Sequence, residues 1–176
     1  MIQAQLQMTD EEKRKVAEFV DSLEGSFLKE RASLIPILQE AQRRVGYLPA
    51  EVMRGIADYL DIPAMDVYSV VTFYNQFRLN PPGRHSVRVC MGTACHIGGG
   101  KIILDSWKRR LGIDKKQTTE NREFDLDTVA CVGCCAMAPV TVIDEAEVHG
   151  NVTPTRVDGI LLGYKLERER EMSEES

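Results

Sequence analysis

The sequence predicts an α/β protein: a helical bundle over residues 1–80, a compact α/β domain over residues 84–168 and a charged tail at 169–176. Three observations predict it. Apolar residues recur at helical spacing through the first eighty positions. Asn80-Pro81-Pro82-Gly83 then breaks that pattern. Beyond the break β-type alternation begins, and all five cysteines appear there, confined to positions 90–135.

Each element follows from local chemistry. Thr9-Asp10-Glu11-Glu12 has the form of a capping box, with Thr9 as the N-cap and Glu12 reaching back to it. Val16, Phe19, Val20 and Leu23 continue the helix, and Gly25 is its expected stop. A second helix starts near Ser33, tolerates Pro36 in its first turn, and buries Leu34, Leu38, Ala41 and Val45 before Gly46 ends it. Pro49 opens a third, with Val52, Ile56 and Leu60 inward; Pro63 opens a fourth, with Val67, Val70, Val71 and Tyr74 on one side. Short turns between four short helices favour a bundle. After the break, residues 86–90 read as a strand with Val87 and Val89 on one face, and 101–111 as a helix ending at Gly112. A polar stretch, 114–123, leads to a strand near 127–131. Segments 140–143 and 148–152 form a hairpin, and 156–168 a terminal helix capped from Thr155 or Pro154. The order β-α-β-β-β-α implies an α/β sandwich. The tail lacks an apolar anchor and is expected to fray.

Composition excludes several functions. Hydrophobic residues make up 43% and charged residues 28%, with a net charge of −5. No basic stripe or aromatic–basic alternation supports nucleic-acid binding. The apolar runs at 140–143 and 160–162 are too short to span a bilayer, so direct membrane insertion is not expected. The first residues lack a positively charged start and an apolar signal region, which reads as cytoplasmic. In a reducing cytosol an odd number of cysteines argues against structural disulfides, and their clustering favours a prosthetic group.

Cys90 and Cys95 are separated by four residues, and Cys131 and Cys135 by three. Each pair stands at the end of an expected strand and runs into a glycine-containing loop, so neighbouring strands would bring four thiolates to one sheet edge. Structural zinc commonly uses tighter knuckles around one ion. A binuclear iron–sulfur cluster is wider, and a four-residue gap also occurs in plant-type ferredoxin motifs. Spacing therefore favours [2Fe–2S] over zinc. Gly92, Thr93, Ala94, Gly133 and Ala136 keep the loops small, so backbone N–H groups can approach the sulfurs. Chemistry alone leaves Cys134 and Cys135 as alternatives for the fourth ligand.

Val89-Cys90-Met91-Gly92-Thr93-Ala94-Cys95-His96 and Cys131-Val132-Gly133-Cys134-Cys135-Ala136-Met137-Ala138-Pro139 resemble the two cluster loops of the 24-kDa [2Fe–2S] subunit family of NADH-quinone oxidoreductase. That family also supplies small subunits to NAD-linked hydrogenases and formate dehydrogenases. Gly46-Tyr47-Leu48-Pro49 and Val71-Thr72-Phe73-Tyr74, with Phe77, add to the likeness, which covers roughly residues 30–167. The resemblance implies a thioredoxin-like fold for the second domain and partner docking by the helical region. It implies one [2Fe–2S] cluster on Cys90, Cys95, Cys131 and Cys135, leaving Cys134 a non-ligand. It also implies a chain that is not catalytic alone, transferring single electrons beside an FMN- and iron–sulfur-containing NADH-oxidising subunit, with FMN and NAD(P)H held on that partner. A quinone reductase, a soluble hydrogenase (an electron-bifurcating one included) and a formate dehydrogenase all fit. The location is then the cytoplasm, or the cytoplasmic face of a membrane complex.

Other motifs carry less. His96 follows Cys95, but a Rieske centre needs two histidines, and His85 and His149 lie outside any paired motif; His96 is expected exposed or behind the ligands. Gly98-Gly99-Gly100-Lys101 fails as a phosphate loop, since Cys95 replaces its first glycine and Ile102 its Ser or Thr; it reads as a flexible lead into a helix. No dinucleotide fingerprint is present. Phe73, Tyr74 and Phe77 read as core residues, with partner docking as their second role. Lys108, Arg109 and Arg110 favour a helix C-terminus. The acids around 125–127 and 144–147 form no acid–base constellation. Two other functions compete: a zinc-stabilised interaction module, and a thiol oxidoreductase. The latter lacks a Cys-x-x-Cys at the start of the domain's first helix.

Overall fold

The computed structural model describes residues 8–174. Residues 1–7, read above for a signal segment, and 175–176, the end of the expected tail, lie outside the described residues. The chain forms two compact units, meeting in sequence between Pro82 and Gly83.

The first unit contains α1 (Asp10–Asp21), α2 (Leu23–Ser26), α3 (Leu34–Val45), α4 (Ala50–Leu60) and α5 (Ala64–Phe73). The capping box forms as expected: Glu12 N–H donates to Thr9 Oγ1 at 3.3 Å, and Thr9 N–H donates to Glu12 Oε2 at 2.8 Å. The first helix stops at Ser22 rather than Gly25, because the Ser22 hydroxyl bonds back to the Phe19 carbonyl at 2.8 Å. Gly25 instead lies within α2. Gly46, at φ +93°, closes α3. Phe19, Leu23, Ile37, Leu38, Leu48, Val52, Ile56 and Val67 are all essentially solvent-free and pack as one core. Gly55 brings α4 against α1, since a Cβ there would stand 2.7 Å from Val20 Cγ2. The aromatic group after α5 divides. Phe77 is buried, but Phe73 is 78% exposed and Tyr74 leaves the helix in an extended conformation, so helical spacing overstated their burial.

The second unit contains β1 (His85–Cys90), α6 (Thr93–Ile97), α7 (Gly100–Leu111), β2 (Gln117–Thr118), β3 (Phe124–Val129), β4 (Thr141–Ile143), β5 (Glu147–His149) and α8 (Pro154–Glu174). The sheet order is β2-β3-β1-β4-β5, with β1 and β3 parallel and the other pairs antiparallel. Val87, Val89, Leu126 and Ile143 pack with Trp107 of α7 and Val157 of α8 into a second core. Trp107 Nε1–H donates to the buried Thr141 hydroxyl at 3.3 Å.

Several details differ from expectation. The strand placed near 127–131 is β3, beginning three residues earlier, with Phe124 and Leu126 buried. The polar stretch before it contains the two-residue strand β2. The hairpin turns at Asp144 and Glu145, at φ 52° and 62°, a left-handed pair without the glycine that normally signals it. Thr153, rather than Thr155 or Pro154, caps α8, accepting from Arg156 N–H at 3.2 Å. The same helix runs through most of the segment expected to fray. Within that segment Glu171 pairs with Arg84 at 2.6 Å, and just before it Arg168 pairs with Glu123 at 3.2 Å.

Candidate metal centre

Parallel pairing of β1 with β3 sets Cys90 beside Val129, so the loops following both strands leave the same sheet edge. Cys90 ends β1 and Cys95 lies in α6. Cys131 follows β3 by two residues, and Cys135 opens a 3-10 turn, Cys135–Met137. Backbone bonds lock the loops to the sheet: Cys90 N–H donates to Val140 O at 3.0 Å, and Met91 N–H to Val129 O at 2.8 Å. Gly92 is the point of closest approach, where a Cβ would lie 2.8 Å from Ala130 O and 3.4 Å from Cys131 Sγ. Gly100 closes the rear, where a Cβ would stand 2.9 Å from Cys95 O and 3.1 Å from Cys90 O.

Four thiols come together. Cys95 neighbours Cys90, Cys90 neighbours Cys131, and Cys131 neighbours Cys135, each close enough to act electrostatically on the next, giving a line of sulfurs. Cys134 stands outside it: its thiol donates to the Val132 carbonyl at 3.8 Å. The two pairs differ in burial. Cys90 and Cys95 are each 2% exposed, whereas Cys131 and Cys135 face solvent.

Backbone donors point at these sulfurs. Gly133 N–H donates to Cys131 Sγ at 3.3 Å, while the Gly92 and Val132 N–H groups act electrostatically on Cys90 and the Val140 N–H on Cys95. Burial opposes ionisation of Cys90, but those two N–H groups, with the Cys95 and Cys131 side chains, bring its thiol below the ordinary range. Burial, followed by the neighbouring Cys90, pushes Cys95 up to about 11. Its hydrogen bond and charge repulsion with Cys131 raise Cys135. Such mutually opposed thiols cannot all ionise without a cation between them. The donor set therefore fits a positively charged, thiolate-binding group. Among the described residues, no three His, Cys, Asp or Glu side chains gather at the spacing of a single-ion site.

The remaining candidates fall elsewhere. His96 is exposed. His85 bonds Asp144 through Nδ1 at 2.7 Å, and His149 lies 3.1 Å from Glu147. The glycine run is not a flexible lead: Gly99 caps α7 at φ +93° and buried Gly100 packs on the backbone of both inner cysteines. Sequence reasoning missed this wall, the short helix under Cys95, and the Val132 and Val140 donors. The lack of side chains at 98–100 was the signal for the wall, and the small loop residues signalled N–H donors without saying which peptides supply them.

The thioredoxin-like [2Fe–2S] ferredoxin family model matches residues 16–165. The chain belongs to this family. The HndA subunit of the NADP-reducing hydrogenase of Solidesulfovibrio fructosivorans is 40% identical over 151 residues, covering 86% of this chain and 85% of the relative. An NADH-quinone oxidoreductase subunit of Pseudomonas aeruginosa is 40% identical over 134 residues, covering 76% and 80%. The corresponding subunit of Escherichia coli K12 is 38% identical over 135, covering 77% and 81%. A solved NAD+-reducing [NiFe]-hydrogenase in the air-oxidized state shares the fold, with a TM-score of 0.54 at 18% identity over 77% of this chain. The chain spans 23% of that longer one. Family membership bears out the thioredoxin-like fold and implies one [2Fe–2S] cluster. Among the described residues, no helix is long and apolar enough to cross a membrane.

Proposed function

We propose that the chain is the [2Fe–2S] electron-transfer subunit of an NAD(P)H-oxidising or -reducing complex, of the NADH-quinone oxidoreductase type, working beside an FMN-containing subunit. Cys90, Cys95, Cys131 and Cys135 would hold the cluster, one pair on each iron. The observation that carries this reading is the line of four sulfurs, which leaves Cys134 aside and receives peptide N–H donors. When bound, the group supplies one-electron redox chemistry. The chain's own residues do the rest. The inner pair is anchored at the end of β1 and in α6 and shielded from water, while the outer pair brings the site to the surface. The described side chains offer no nucleotide fingerprint, so hydride chemistry belongs to the partner. The helical unit, which exposes Phe73 and Met65, would dock on that partner. A cytoplasmic setting suits free thiols.

The equivalent place in a soluble hydrogenase is the second reading, favoured by the longer match to HndA, 86% of the chain against 76% for the P. aeruginosa relative. A formate dehydrogenase complex would make the same demands on this chain.

The test is reduction by NADH or NADPH, followed by optical bleaching. The chain alone should stay oxidised, and adding the FMN-containing subunit from the same cells should reduce it. Reduction without any flavin subunit, or none with it, would contradict the assignment.

A further inference from the structure

The loop between the outer cysteines contains a glycine that is held by conformation rather than by space. Gly133 sits at φ +82°, yet a Cβ added there would meet nothing within 4 Å. Gly92 and Gly100 are the reverse, hemmed in by neighbouring backbone. The left-handed turn has a consequence for the N–H groups around it. Gly133 N–H points back at Cys131 Sγ at 3.3 Å, and the preceding Val132 N–H reaches across to Cys90. The turn thus presents the Gly133 N–H to an outer sulfur, while the N–H before it acts on an inner one.

We propose that Gly133 is a positioning residue that sets the reduction potential of the centre, by holding the Val132 and Gly133 N–H groups on the Cys90 and Cys131 sulfurs. The inference rests on the cluster-binding reading above. Reduction adds one electron from an external donor such as dithionite; no bond forms or breaks and no proton is required. The charge on the sulfurs becomes more negative, so fixed N–H donors stabilise the reduced form more than the oxidised form. A donor lost by backbone rotation makes the potential more negative.

The test compares Gly133→Val, Gly133→Ala and Gly133→Asn, purified without air and titrated with dithionite while absorbance and the electron paramagnetic resonance signal are followed. Valine is poorly tolerated at positive φ and asparagine adopts it comparatively well. Gly133→Val should shift reduction at least tenfold toward the oxidised form, about 59 mV more negative for one electron. Gly133→Ala should follow in the same direction, and Gly133→Asn should stay near the parent. If Gly133→Val loses its irons, Gly133→Ala supplies the comparison. Two-iron Val or Ala variants with the parent potential would overturn the inference, as would an Asn variant shifted as far as Val. Absence of iron from the unaltered chain would overturn the proposed function instead.

Discussion

Gly92→Ala tests whether the two cysteine loops meet as tightly as the geometry requires. Gly92 has φ −60° and ψ 159°, a conformation alanine adopts freely, so backbone strain plays no part. The obstacle is space. The new methyl would lie 2.8 Å from Ala130 O, 3.3 Å from Cys131 Cβ and 3.4 Å from Cys131 Sγ. Carbon–oxygen contacts normally close at about 3.3–3.6 Å, so the overlap with the carbonyl is roughly half an ångström. That carbonyl follows directly on β3 and cannot rotate away without disturbing Cys131. Forcing a methyl into a packed site costs about 1–3 kcal/mol. For a unit of this size each kcal/mol lowers Tm by about 4–8 °C. The variant should therefore melt roughly 4–24 °C lower by far-ultraviolet circular dichroism and should lose iron faster to a chelator. An unchanged Tm together with unchanged iron retention would refute the close approach of the loops.

Other outcomes follow from the same structure. Cys134→Ser should keep the cluster signal, because that thiol lies outside the line of sulfurs, whereas Cys135→Ser should lose or rebuild it; anaerobic iron analysis and spin resonance distinguish the two. Gly159→Ala and Gly163→Ala, inside α8 with nothing within 4 Å of the added Cβ, should each stabilise by about 0.5–1 kcal/mol in urea denaturation. Arg43 and Arg44 hold the half-buried Glu40 carboxyl at about 2, from 4.5, so its pairing favours the folded state above 4.5 and is lost as pH falls toward 2. The stability gap between the parent and Glu40→Gln should accordingly be small at neutral pH and shrink further between about pH 5 and 2.

Helical periodicity was legible wherever one face is buried, as at Leu34, Leu38, Ala41 and Val45 in α3. It failed at Phe73 because a helix's last turn can carry an apolar residue outward. Strand β3 was misplaced because alternating Asp125 and Asp127 hide Phe124 and Leu126 in a polar stretch. Asp125 is itself buried, accepting from Gly83 N–H at 3.1 Å and the Ser86 hydroxyl at 3.1 Å. At the site, cysteine spacing pointed to a thiolate centre, and only the family resemblance preferred Cys135 to Cys134 as its fourth ligand. The contacts that separate those two thiols, and the N–H groups aimed at the sulfurs, depend on backbone direction. Composition does not encode that direction.

The most direct test of the central claim is iron and zinc analysis of the anaerobically purified chain, combined with electron paramagnetic resonance after one-electron reduction. The account predicts two irons per chain and a spin-half signal, both lost when Cys90 and Cys131 are replaced together by serine. Stoichiometric zinc with no such signal would contradict it.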